Sequence, residues 1–318
     1  MILWNTLIVL LLLFILEAAV RILSPQIQLS GMDRQILERD VYYRTVGLKK
    51  NSLGISNGVI KHVDEKGFWK YTSKKKEATR KILILGDSAT MGIGVENDST
   101  FVGLLNGYFK DIEFCNASLI GYSSQDYLNV IQDIIQSKKN ELGISDVFIF
   151  WCLNDVYSNF PDLNSPETKN DFIKIITDFL VKNSKLYHLL KNILSDRPKA
   201  YFDYDKKFYV SKNKLLEKSL LNLGQIAEIL DSTKINFNLF LLPYEYQIRN
   251  YNDSIIFHPQ RIFEQMLRKL NLNVTDCSPA FSQMSLNSYQ FYLYGDGIHF
   301  SITGHKVLAE FISKILEK

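Results

Sequence analysis

The sequence predicts a doubly wound α/β domain of flavodoxin-like type, a three-layer sandwich around a five-stranded parallel sheet, preceded by one transmembrane helix. Three observations predict this. From Lys81 onward, short apolar runs alternate with amphipathic stretches, as in a parallel sheet flanked by helices. Small and polar residues cluster directly after those runs, where ligands gather in an open parallel sheet. Leu7 to Leu16 is continuously apolar, and Ile2 to Trp4 and Ala18 to Val20 extend it past Asn5, Thr6 and Glu17 to about a membrane thickness of helix.

Residues 1–23 are read as an uncleaved anchor, because Glu17 and Val20 interrupt the Ala18-Ala19 pair that a signal-peptide cleavage site would need. Arg21, Arg34 and Arg39 follow the apolar run and no Lys or Arg precedes it, so the positive-inside rule by itself keeps the domain in the cytoplasm. Residues 24–80 are polar, mixed in sign and poor in periodic runs, which predicts a membrane-proximal linker with some local structure. Its Lys74-Lys75-Lys76 run reads as a solvated loop.

Residues 81–318 form the folded domain. Ile82 to Leu85 is too short for a buried helix and stops at Gly86, so it is a strand feeding a turn. Asp98 or Ser99 caps a helix through Tyr108, Ile112 to Asn116 is a strand, Ser123 or Ser124 caps a helix through Ser137, and Val147 to Trp151 is a buried strand. Residues 157–232 are mostly helical and aromatic-rich, with Arg197 to Ser211 irregular enough to be an insertion and a candidate lid. Phe237 to Leu242 is a strand halted by Pro243, Pro259 to Leu270 a helix, Val274 to Cys277 a last strand and Ile302 to Leu316 the terminal helix.

Composition fits a folded domain and gives no sign of a nucleic-acid binder. Of 318 residues, 46% are hydrophobic and 22% charged, which suffices for a sizeable core. The net charge of +3 comes from 37 basic and 34 acidic residues interspersed along the chain, so no basic stripe points to nucleic acid. Cys115, Cys152 and Cys277 match neither a disulfide framework nor a zinc site and read as buried thiols.

The clusters after the strands are Gly86-Asp87-Ser88, Asn116 to Gly121, Asn154-Asp155 and Asp296-Gly297-Ile298-His299. Acyl transfer needs a nucleophile, a base, a group orienting the base and donors for an oxyanion. Ser88 suits the nucleophile, with Gly86 allowing a sharp turn off the strand and Asp87 bracing it. His299 suits the base and Asp296, three residues earlier across Gly297, its orienting carboxylate. The Ser88 N–H, the Gly121 N–H and the Asn154 side-chain amide are the candidate oxyanion hole. Rival residues have plainer readings. His305 lies in a helix pattern, His62, His188 and His258 lack partner clusters, and a Cys152 nucleophile has no nearby histidine. Aromatics at 201–209 and 289–294 read as core or as pocket lining with equal weight.

This ordered set resembles the SGNH/GDSL hydrolase family: Gly86-Asp87-Ser88 as first block, Gly121 as second, Asn154-Asp155 as third, Asp296 and His299 as last. The resemblance runs from Lys81 to Glu317, and Asn51 to Gly54 and Leu242 to Gln247 are similar to segments of membrane-anchored bacterial members. Cys152 stands where the third block usually has glycine, and Ala89 where leucine commonly follows the serine. The resemblance implies a serine ester hydrolase with an extracytoplasmic domain, no cofactor or metal, and an acylated small molecule, lipid or glycan as substrate. It leaves two alternatives: an O-acyltransferase or deacetylase of cell-surface polysaccharide, and a catalytically silent glycan-binding module.

Overall fold

The structure is a computed structural model describing residues 2–73, 78–158 and 172–317. The Lys74-Lys75-Lys76 run and residues 159–171 of the insertion lie outside the described residues. A single helix, Ile2–Leu23, opens the chain, and Leu3–Leu23 is long and apolar enough to cross a membrane by length and composition.

The segment expected as a linker is built of two antiparallel hairpins. β1 (Leu37–Tyr42) pairs with β2 (Thr45–Leu48), and β3 (Leu53–Ser56) with β4 (Val59–His62). The second hairpin turns at Asn57-Gly58, both at positive φ, as a two-residue primed turn requires. Ile36, Tyr42, Leu48, Val63, Phe68 and Trp69 are buried and join the same apolar core as the sheet. Removing this much apolar surface from water makes the segment part of the domain instead of a tether.

The parallel sheet comprises β5 (Arg80–Gly86), β6 (Ile112–Asn116), β7 (Asp146–Trp151), β8 (Asn236–Leu241) and β9 (Val274–Asp276), in the order β6-β5-β7-β8-β9. All four pairings are parallel. β7 is buried at every position and β5 from Ile82 to Gly86, which explains why both read as unbroken apolar runs. Helix Phe101–Tyr108 packs on the terminal helix Ile302–Leu316, and Ser124–Ile131 on Lys214–Ser232. β5 lies between β6 and β7, and Cys115 and Cys152 are separate buried thiols.

Helix boundaries differ from expectation where caps compete. Asp98 and Ser99 lie in a 3₁₀ turn, and the Thr100 hydroxyl caps Phe101–Tyr108 by accepting from the Gly103 N–H at 3.2 Å. Ser123 precedes Ser124–Ile131 as expected, while the following turn to Ser137 widens into a π-helix. Within 197–211 the chain is helical from Arg197 to Asp205, opened by Asp196 and Pro198.

Candidate active site

Strand β5 delivers Ser88 to the carboxyl edge of the sheet. Gly86 is demanded by space, since a Cβ there would lie 2.1 Å from Thr90 Oγ1 and 3.0 Å from the Phe150 carbonyl; it is not one of the positive-φ glycines. This replaces the sharp-turn reason expected from sequence. Asp87 braces the next turn, its Oδ1 accepting from the Ala89 N–H at 2.9 Å. Beneath it sits Lys61 from β4, fully buried, whose Nζ donates to the carbonyls of Met91 (3.1 Å), Gly92 (3.1 Å) and Val95 (2.8 Å). Burial pushes this amine down to about 7.

Ser88, His299 and Asp296 are brought together. Ser88 Oγ lies 2.8 Å from His299 Nε2, and His299 Nδ1 lies 2.9 Å from both Asp296 oxygens. Gly297, at φ +90 with Pro198 packed against it, forms the turn that lets Asp296 Oδ1 also accept the N–H groups of Ile298 (2.9 Å) and His299 (2.8 Å). Burial would raise the Asp296 pKa; the His299 charge, its ring hydrogen bond and those two N–H groups outweigh it and hold the carboxyl at about 2. Burial pulls the His299 imidazolium down, and the Asp296 charge and hydrogen bond more than offset this, so its pKa moves up. An ionised Asp296 keeps the proton on Nδ1 and leaves Nε2 to accept from Ser88.

Asn154 joins this group through Asp87, its Nδ2 donating to Asp87 Oδ2 at 3.0 Å. That uses one of two amide hydrogens. Its Oδ1 lies 3.1 Å from Tyr244 Oη, itself 2.7 Å from Asp205 Oδ2. Burial, then the Asp87 charge, raises the Asp205 pKa against the Tyr157 and Tyr244 hydrogen bonds. The Tyr244 hydroxyl lies between Asn154 Oδ1 and the Asp205 carboxyl, and this contact helps to fix the amide orientation. Gly121 lies at φ +77 in the turn after β6, and among the described residues neither its N–H nor that of Ser88 makes a hydrogen bond within the chain.

Cys152 sits at φ −98, a conformation open to any residue, so its place in the third block does not require glycine. Burial, then Asp87 and Asp155, pushes its thiol pKa far up, the opposite of a reactive cysteine. Asp155 is buried too, accepting from Tyr127 Oη (2.7 Å) and the Cys152 N–H (3.0 Å). His305 is fully buried, accepts from the Phe101 N–H at 3.2 Å, and is held neutral by burial and then Lys61, with a pKa of about 3. The aromatics divide. Phe202, Tyr209 and Tyr292 are core, whereas Tyr289 and Tyr294 line a cavity of about 530 Å³ beside Asp296, with Tyr292 forming part of its wall. Sequence reading missed Lys61, Tyr244 and Asp205 as supports, although Leu242 to Gln247 had drawn attention through its resemblance.

A serine hydroxyl within hydrogen-bond reach of an imidazole beyond the carboxyl ends of a five-stranded parallel sheet suits acyl transfer, and the family match makes the molecule an ester-bond hydrolase of the doubly wound α/β class. The chain belongs to the GDSL-like lipase/acylhydrolase family, whose model matches residues 82–312. No curated protein sequence matches it. Among solved structures it is similar to Axe2, an acetylxylan esterase from Geobacillus stearothermophilus, at 18% identity and TM-score 0.47, covering 76% of this chain and 96% of that one. A lipase/acylhydrolase from Enterococcus faecalis matches at 18% identity and TM-score 0.43, covering 75% and 96%. Esterase EstA from Pseudoalteromonas sp. matches at 16% identity and TM-score 0.42, covering 75% and 100%.

Proposed function

We propose that this protein is a membrane-anchored serine esterase that hydrolyses an acyl or acetyl ester of a small molecule, lipid or glycan through a Ser88 acyl-enzyme. The Ser88 Oγ to His299 Nε2 separation of 2.8 Å carries the reading. His299 takes the hydroxyl proton as Ser88 Oγ bonds to the ester carbonyl carbon, and the carbonyl electron pair moves onto oxygen. The Ser88 and Gly121 N–H groups and the free Asn154 amide hydrogen receive that oxyanion. Collapse breaks the bond to the alcohol, which leaves with the proton from His299. Water, deprotonated by His299, then attacks the acyl-enzyme and returns Ser88. Asp296 stays ionised throughout and steadies the imidazolium.

The full chain in detergent, given p-nitrophenyl acetate and a fluorophosphonate probe, tests this. The wild type hydrolyses the ester and is labelled, while Ser88→Ala loses the label and on the order of 10⁴-fold or more in kcat. Labelling of Ser88→Ala at the wild-type rate overturns the assignment. On this reading Leu3–Leu23 is the span, and the resemblance to membrane-anchored bacterial members supports an extracytoplasmic catalytic domain against the charge of Arg21, Arg34 and Arg39. Protease added to intact cells digests the domain on this reading; protection until lysis reverses the side.

A further inference from the structure

The apolar amino-terminal helix is latched to the insertion at one defined place. Glu17 Oε1 accepts from the Lys185 N–H at 3.0 Å, and Oε2 from Ser184 Oγ (2.8 Å) and the Leu186 N–H (2.9 Å). Arg21 pairs with Glu17 at 2.7 Å and donates to the Asn183 carbonyl at 2.6 Å. One turn of the anchor thus holds both the end of helix Phe172–Asn183 and the start of helix Lys185–Leu194.

Each of these helices turns an apolar stripe outward. Ile175, Ile176 and Phe179 form one, and Leu190, Ile193 and Leu194 the other, all between 42% and 81% exposed. Spacings of three and four place each trio on a single helix face. Six large apolar side chains in two adjoining helices exceed the scattered single residues normal on a soluble surface. Lys182, Lys185 and Lys191 against the single acidic residue Asp178 leave these two helices net basic, as surfaces that meet anionic headgroups are.

The stripes also adjoin the site. At about 1.5 Å per residue, helix Lys185–Leu194 carries the chain about 15 Å from the latch. There Asn192 packs so closely on Gly295 that a Cβ on the glycine would lie 2.4 Å from its Oδ1. Ile193 and Leu194 line the cavity beside Asp296.

We propose that helices Phe172–Asn183 and Lys185–Leu194 lie in the headgroup layer of the bilayer that Leu3–Leu23 spans, holding one wall of the catalytic cleft at the membrane surface. This rests on the spanning helix proposed above. The occupant of the stripes is lipid, because they begin where the apolar helix leaves the bilayer and lie on helices of net basic charge.

Full chains carrying Phe179→Cys, Ile193→Cys, Leu12→Cys or Leu221→Cys, each labelled with a nitrobenzoxadiazole iodoacetamide, distinguish the possibilities; the three native thiols are buried. Ile175→Cys replaces any stripe variant that fails to fold. The proteins are reconstituted in vesicles of equal parts phosphatidylcholine and phosphatidylglycerol, with or without doxyl-labelled lipid. Labels at 179 and 193 lose fluorescence to the doxyl lipid as the Leu12 label does, whereas the label at exposed Leu221 keeps it. Quenching at Leu12 with labels at 179 and 193 behaving like that at 221 overturns the surface and leaves the span. No quenching at Leu12 overturns the span and the surface with it.

Discussion

Two regions outside the parallel sheet brace the two halves of the site, and they do so by opposite means. The hairpins of residues 37–62 hold the Ser88 side from below, with a fully buried amine on three carbonyls. The insertion holds the Asp296 side with neutral packing, Pro198 on Gly297 and Asn192 on Gly295, and reaches Asn154 through Asp205 and Tyr244. The first support is dry and the second half-exposed. The Ser88 loop is thereby locked, while the turn bearing His299 and the cavity wall is left open to solvent.

The comparison is tested hardest at the residue both halves serve. Asp296→Asn should lower kcat about 10⁴-fold, followed with a chromogenic ester, at a stability cost of about 2 kcal/mol from the lost carboxylate. His299 must be neutral to accept the serine proton, and Asp296 raises its pKa, so wild-type activity is lost as pH falls through a midpoint above the ordinary histidine value. In Asp296→Asn that midpoint moves down. A stability loss without a rate loss would make the turn a scaffold only.

Asn154→Ala should cost about 10²–10³-fold in kcat if its second amide hydrogen meets the oxyanion. Lys61→Met should instead act on stability, by about 3 kcal/mol in chemical denaturation, because three buried carbonyls lose their donor. With the folded amine at about 7 against 10.5 unfolded, the unfolded chain binds the extra proton. Stability from this group therefore rises with pH between those values, and the gap between wild type and Lys61→Met should widen from pH 7 upward. A constant gap would mean that Lys61 stays charged.

Tyr244→Phe should lower kcat about tenfold, equivalent to one hydrogen bond, with KM nearly unchanged. Equal losses in stability and rate would assign the insertion a packing role alone. Cys152→Gly should have the smallest effect on rate, leaving kcat unaltered while lowering stability by about 2 kcal/mol, since glycine gains unfolded-state freedom and gives up the contacts of a buried thiol.

The sheet was legible because β5 and β7, buried on both faces, appear as unbroken apolar runs, and the blocks after them align with acyl-transfer chemistry. The terminal helix Ile302–Leu316 was readable from its periodic stretch, and the Ser301 hydroxyl caps it by accepting from the Gly304 N–H. The hairpins were not, because Ile36, Tyr42, Leu48, Val63 and Trp69 are scattered among charges and are buried only by distant partners. Asn57-Gly58 is a local hairpin signal there, between the short runs Leu53–Ser56 and Val59–His62. Lys61 reads as a solvated lysine in any window, since its carbonyl partners lie about thirty residues away, at separations of 30, 31 and 34. Thr100 lost to Asp98 and Ser99 because three neighbouring residues could each cap the same helix. Asp205 lies in an insertion with no strand-end pattern to mark it.

The hydrogen bond between Ser88 and His299 joins residues 211 positions apart. A polypeptide emerging amino terminus first exposes Ser88 long before His299 exists. On the proposed mechanism, a product truncated before position 299 carries the serine but no imidazole to activate it, and stays inert toward esters.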